Sequence, residues 1–142
     1  MKQDGIVSNQ QGVVLVEMAL FMAIFCVILV GLISFGSIAG ASVQLSDALR
    51  VGEQFALKQP GNTKGITDAV EGATSLPSSS ITSTATTFCE CNGSSATCGS
   101  SCSGTMATYV TITAGYSVPL VLAFPGLANP LPLNKSVTVR VQ

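Results

Sequence analysis

The feature that most constrains this chain is an apolar run at residues 10–36, QQGVVLVEMALFMAIFCVILVGLISFG, which carries a single charge at Glu17. Residues 13–38 reach the length of about 20 residues that spans a bilayer as a helix. The sequence therefore predicts a transmembrane helix over 13–38. A carboxylate is costly in such a segment and usually marks a functional position. Glu17 accordingly needs a partner.

Two alternatives to an assembly role for this run stay open. A secretory signal peptide has an apolar region of about 7–15 residues followed by small residues. Ala39-Gly40-Ala41 fits such a cleavage site, with Ser42 as the new N-terminus, although the apolar run here is longer. An unprocessed chain would instead keep Met1 and form a single-span membrane protein whose outer domain binds a partner.

Gly12 and Glu17 are explained together if a protease cuts after Gly12 and leaves Val13 as the N-terminus. Glu17 is then the fifth residue of the mature chain, ahead of an unbroken apolar helix, a pattern that resembles type IV prepilins. In a staggered stack of helices, Glu17 of one subunit can meet the Val13 amine of its neighbour. A lone buried charge is strongly destabilising, so we predict that Glu17 sets the register of assembly. The competing interpretation is a carboxylate that snorkels into the lipid headgroups.

Beyond the membrane run, the chain contains no helix breaker until Pro60-Gly61. Residues 39–59 are therefore predicted to continue the same helix outside the bilayer, giving a helix of roughly 70 Å over 13–59. An apolar stripe at helix period predicts the face that packs. Its members are Ala41, Leu45, Ala48, Gly52 and Phe55.

The N-terminal segment resembles TadE-like pseudopilins, the minor pilins of tight-adherence (Tad/Flp) pilus systems. The matching positions are Gly12, Glu17, Ala19, Gly31, Phe35-Gly36, Leu45, Ala48, Arg50, Gly52 and Ala56. The resemblance implies a leader over 1–12 that a prepilin peptidase removes at the bacterial inner membrane. It also implies a periplasmic C-terminal domain, partners among other pilin subunits and the Tad assembly machinery, and a place in an adhesive, extracellular pilus. One position departs from the family, because Ser34 stands where these proteins often carry an acid.

Residues 60–142 are predicted to form a small β-rich domain. A short helix is expected around Ile66–Val70, and residues 75–87 are expected to form a loop or a weak edge strand. Apolar and polar residues alternate over Val110–Tyr116 and again over Val137–Gln142, as in half-buried antiparallel strands. The predicted fold class is therefore α+β, with the long helix packed against a small antiparallel sheet.

Four cysteines lie close together in the second half of the chain, at Cys89, Cys91, Cys98 and Cys102. In a small exported domain they predict two disulfides that pin a loop. A bond between the first two would be strained, which leaves two pairings open, 89–98 with 91–102 or 89–102 with 91–98. A four-thiolate zinc site is the rival, although the spacing is unusual for zinc. Cys26, alone in the apolar run, is interpreted as a small buried hydrophobe.

Residues 118–133, VPLVLAFPGLANPLPL, carry no charge. Either they form a loop folded onto the sheet, in which prolines block strand extension, or they expose an apolar patch for a partner subunit.

The composition argues against catalysis and nucleic-acid binding. The chain has no histidine, and its net charge of −1 offers no electrostatic attraction for phosphates. No nucleophile or phosphate-binding motif is present. We therefore predict no catalytic residue, no metal and no cofactor.

Overall fold

The computed structural model describes residues 7–121 and 126–142, with the side chains of these residues except 7–11 and Ser78. Residues 1–6 of the predicted leader and Phe124-Pro125 of the charge-free segment lie outside the described residues. The elements are α1 (Val7–Lys58), α2 (Thr63–Gly72), a 3-10 turn (Ser78–Ser80), β1 (Ile81–Cys91), β2 (Ser94–Ala96), β3 (Met106–Val118) and β4 (Leu131–Arg140). A long N-terminal helix on a small antiparallel sheet confirms the predicted α+β fold class.

The helix α1 runs for 52 residues without interruption, a length of roughly 78 Å. It already includes Val7, ahead of the predicted start at residue 13, and it ends at Lys58, one residue before the predicted end. Pro60 accounts for the end, because proline disfavours helical geometry in the residue before it. The predicted breaker is therefore confirmed.

The second helix begins immediately after the break. The Oδ1 atom of Asn62 accepts a hydrogen bond from the Gly65 N–H at 2.9 Å, which caps the N-terminus of α2. Ile66 and Val70 lie one turn apart on the buried face of this helix. The short helix predicted around these two residues is confirmed and extends further in both directions.

The sheet has the strand order β2-β1-β3-β4, and all neighbours are antiparallel. Strand β1 pairs with β3 along its whole length, from Ile81 opposite Tyr116 to Cys91 opposite Met106. The short β2 pairs only with the last three residues of β1, so the Thr-rich remainder of β1 forms an edge of the sheet. Of the two structures expected for residues 75–87, a loop or a weak edge strand, the edge strand is found from Ile81 onwards. Strand β4 forms the opposite edge.

The core forms where α1 and α2 lie across one face of the sheet. Its fully or nearly fully buried members are Leu45, Ala48, Leu49, Ala56, Ile66, Val70, Val110, Ile112 and Ala114. Gly52 allows the closest approach, because a Cβ atom there would lie only 2.5 Å from Cγ2 of Val70. Phe55 is half-buried against this cluster, so the predicted helix stripe is confirmed, with Leu49 and Ala56 added to it.

One prediction about an apolar residue was wrong, and another held only in part. Cys26 is exposed, not buried, because its part of α1 packs against nothing in the described chain. Strand β3 ends directly before Pro119 and β4 begins directly after Pro130, as expected if prolines block strand extension, but Pro132 lies within β4, opposite Ser117. This is possible because β4 is an edge strand. No strand lies on its outer side, so the N–H that Pro132 lacks there is not needed for a hydrogen bond in the sheet.

Candidate functional site: the free segment of the long helix

The N-terminal part of α1 stands apart from the rest of the molecule. Every residue from 12 to 29 is exposed, and this stretch is called here the free segment. From residue 30 to residue 56, α1 buries one face against the domain, and this stretch is called the packed segment. Among the described residues, α1 is the one helix long and apolar enough to cross a membrane.

Gly12, Val13 and Glu17 all lie near the start of the free segment. Together with Val16 and Leu20 they line one shallow groove on the helix surface. Val13 and Glu17 are four residues apart and therefore share one face of the helix, one turn from each other. A cut after Gly12 would place an amine on the same face as the carboxylate.

Glu17 has no partner within the described part of the chain, where neither an ion pair nor a hydrogen bond reaches its carboxylate. It is also the single charged residue between Gly12 and Ser46. Gly12 is equally free of neighbours, since a Cβ atom built there meets no atom within 4 Å. Among the residues that the structure describes, none covers this face of the helix.

The cysteine cluster forms two disulfides, Cys89–Cys98 and Cys91–Cys102. This pairing is one of the two that the sequence left open. All four sulfur atoms are in disulfide bonds, so none of them is a thiolate that could bind zinc. Both bonds tie the loop after β2 back to the end of β1. The role predicted for the cysteines, pinning a loop, is therefore what the structure displays.

Sequence reasoning missed the hairpin within this cluster. Asn92 and Gly93 have φ angles of 51° and 80°, which fit the two central positions of a tight hairpin turn between β1 and β2. The Asn92 side chain also accepts a hydrogen bond from the Thr105 N–H at 3.2 Å. The Asn-Gly pair itself was the signal that could have predicted this hairpin.

The rest of the described surface offers little chemistry. A groove of about 340 Å³ between α1 and β4 contains the charged side chains of Arg50, Glu53 and Lys135. The Lys135 ammonium donates to the Ser46 hydroxyl at 2.7 Å, so it ties β4 to α1. Within the described ranges, no three His, Cys, Asp or Glu side chains are grouped to hold a metal ion.

Comparison with known protein families gives a match over the segment that carries this site. Residues 12–52 match the model of a family described as TadE-like protein, so the match starts at Gly12 and spans the free segment and most of the packed segment. No curated protein and no solved structure matches the chain significantly. The family comprises pilin-like components of Tad pili and is not a family of enzymes. Over residues 12–52 of its N-terminal helix, the chain is therefore similar to TadE-like proteins.

Proposed function

We propose that this chain is a minor pilin or pseudopilin of a Tad/Flp pilus. A prepilin peptidase cleaves it after Gly12, and the mature chain begins at Val13. Residues 13–38 anchor it in the bacterial inner membrane, while residues 60–142 lie in the periplasm. The mature subunit then joins other pilin subunits through its N-terminal helix and enters the pilus.

The unpartnered carboxylate of Glu17 is the observation that carries this proposal. It lies on the free segment of α1, in which every residue is exposed in the described chain. Lipid offers a carboxylate no compensating charge, so the partner comes from a second subunit. The α-amine that cleavage creates at Val13 has the right charge and occurs once per subunit. A pair between Glu17 and the neighbour's Val13 amine fixes the axial stagger, because any other register leaves both charges unpaired.

The disulfides support a periplasmic location for the domain. Bonds such as Cys89–Cys98 and Cys91–Cys102 persist in oxidising compartments and are rare in the bacterial cytosol. The Lys and Arg residues that flank the apolar run do not favour either orientation, since Lys2 stands on one side and Arg50 and Lys58 on the other. The two disulfides are therefore the observation that supports placing the C-terminal domain in the periplasm.

The assembly role is tested with two substitutions in cells that produce the pilus. Glu17→Ala keeps the helix and the cleavage site, so we expect normal processing but at least a tenfold loss of incorporation, measured by immunoblot of sheared pili. Leu15→Ala, in the same free segment but outside the groove that Glu17 lines, is the matched control and should incorporate normally. Gly12→Arg should block cleavage and leave a full-length band.

Wild-type incorporation of Glu17→Ala would contradict the register role. A mature-length band from Gly12→Arg would contradict the cleavage site. An uncleaved wild-type chain would support the alternative function, a single-span membrane protein whose disulfide-bonded domain binds a partner.

A further inference from the structure

The face of the sheet that points away from the helices is rich in hydroxyl groups. Side chains alternate along a strand, so the buried Val110 and Ile112 turn towards α1 and α2, and the residues that follow each of them turn the other way. The pairing of β1, β3 and β4 sets these outward residues in rows across the sheet. Two rows of three are called here the hydroxyl face: Thr86, Thr111 and Thr138 in one row, and Thr84, Thr113 and Ser136 in the next.

The hydroxyl face is a regular array with free hydrogen-bonding capacity. Neighbours in a row lie about 4.8 Å apart, and the two rows lie about 6.7 Å apart along the strands. The hydroxyls of Thr111 and Thr138 share a hydrogen bond of 2.9 Å, and the Thr86 hydroxyl donates to the Thr111 carbonyl at 3.5 Å. The three hydroxyls of the second row have no hydrogen-bond partner among the described residues. Each of them can donate one hydrogen bond and accept two.

An aromatic pair adjoins the hydroxyl face. Phe88 and Tyr109 lie opposite each other in the next row, and their rings are stacked with centroids 5.2 Å apart and an angle of 14° between the ring planes. The Phe88 side of this pair reaches solvent, since Phe88 is 38 % exposed. The nearest charged residues on this side of the sheet are Arg140, opposite Tyr109, and Glu90, one row further on. They have opposite signs, so this surface carries no net charge.

This chemistry selects against most classes of partner. Lipid and protein partners dock on contiguous apolar patches, and Ser and Thr are under-represented among the residues that dominate protein binding. A nucleic acid requires several Lys or Arg side chains for its phosphates. The six positions of the hydroxyl face carry neither a charged side chain nor a large apolar one. The occupant that fits is uncharged, offers many hydrogen-bonding groups, and presents some C–H surface to the aromatic pair.

We infer that the hydroxyl face, together with the Phe88–Tyr109 pair, binds a neutral polysaccharide with β-1,4 linkages. Such a chain is an extended ribbon whose edges carry hydroxyls at every ring and whose ring faces expose C–H groups. The hydroxyls meet the Thr and Ser side chains, and the C–H groups pack against the exposed Phe88 ring. A flat ribbon suits an open face built from three strands, whereas a coiled α-1,4-linked chain touches such a face at few points. This inference does not depend on the cleavage or the assembly proposed above.

Co-sedimentation with insoluble glycans tests this. The full-length chain, purified in a detergent without a sugar headgroup, is mixed with microcrystalline cellulose, with chitin powder, or with starch granules as the α-1,4-linked control. Thr84→Glu places a carboxylate within the hydroxyl face, and Phe88→Ala removes the exposed ring. Thr87→Glu is the matched control, because Thr87 is also exposed on β1 but turns to the other side of the sheet. Melting temperatures close to that of the natural chain show that the variants are folded.

We expect the natural chain to bind cellulose or chitin but not starch, with an affinity that does not change between about 0.05 and 0.5 M salt. Thr84→Glu and Phe88→Ala should each weaken binding by roughly fivefold or more, as the loss of about one hydrogen bond or ring contact predicts, and Thr87→Glu should not. Binding to neither cellulose nor chitin overturns the inference and leaves the threonines as residues that suit an exposed strand. Equal affinities of Thr84→Glu and Thr87→Glu, or equal binding to starch, also overturn it.

Discussion

The two segments of α1 are both apolar, yet they bury their side chains in different ways. In the packed segment, Leu45 and Ala48 are completely buried against the sheet. In the free segment, the large side chains of Val13 and Leu20 are exposed at 66 % and 64 %. The packed segment therefore contributes to the stability of its own chain, whereas the free segment contributes when lipid or another helix covers it. One helix thus joins a surface that folds its own domain to the surface proposed for assembly.

The largest difference in stability is expected between two leucines, one in each segment. Leu45→Ala removes a fully buried side chain and should lower the free energy of unfolding by about 2–5 kcal/mol. Leu20→Ala removes an exposed side chain and should change it by less than about 0.5 kcal/mol. Denaturant unfolding of the domain in detergent compares them. Equal losses from the two variants would show that the free segment is part of the folded core.

Cysteines give a second comparison. Replacing Cys91 and Cys102 together by Ser opens a bond between residues separated by 11 positions and should cost about 2–3 kcal/mol. Cys26→Ser in the free segment should leave domain stability unchanged, because its thiol is exposed and unbonded. Thermal unfolding without reductant measures both effects. A melting temperature unaffected by the double replacement would rule out a stabilising role for this disulfide.

Two glycines of the packed segment give a third comparison, with a smaller expected change in stability. Gly52→Ala forces a Cβ atom onto Val70 and should destabilise the domain by about 1–3 kcal/mol. Gly36→Ala meets no atom within 4 Å and should be neutral or stabilise the helix by up to about 1 kcal/mol. Unfolding midpoints of the two variants test this. A neutral Gly52→Ala would mean that α2 does not approach α1 as closely as described.

The smallest effect is expected at an exposed ion pair on α2. Lys64 donates to Asp68 at 2.8 Å, and this hydrogen bond and the charge of Asp68 raise the pKa of Lys64 above its ordinary value of 10.5. A raised pKa stabilises the fold below pH 10.5, and the contribution is lost as the pH rises through the folded-state pKa. The pair is highly exposed, so Asp68→Asn should lower the melting temperature only slightly. We expect this small difference at pH 7 and a shrinking one as the pH rises above 10.5 through the raised pKa of Lys64; a difference that does not shrink would contradict it.

Periodicity was enough to predict the elements whose burial pattern repeats along the chain. The packed face of α1 follows from Ala41, Leu45 and Ala48 at helix spacing, and β3 follows from Val110, Ile112 and Ala114 at strand spacing. Pro60 was sufficient to end α1. In these stretches, local pattern and tertiary packing favour the same structure.

The remaining features depend on partners that a local pattern does not contain. The Thr-rich part of β1 is a strand because β3 pairs with it, whereas its own sequence has too few apolar residues to predict more than an edge. The disulfide pairing depends on the turn at Asn92-Gly93, which brings β2 back alongside β1. Cys26 appeared buried by hydropathy alone, but hydropathy does not distinguish a core from a bilayer.

The central claim is that cleavage after Gly12 creates the N-terminus of the free segment and that this segment then contacts other subunits. Intact-mass and N-terminal analysis of the chain purified from membranes without reductant tests this directly. The account predicts a chain that begins at Val13 and is four hydrogens lighter than its reduced form, as two disulfides require. A chain that begins at Met1 or at Ser42 would contradict it, because the Val13 amine that pairs with Glu17 would then not exist.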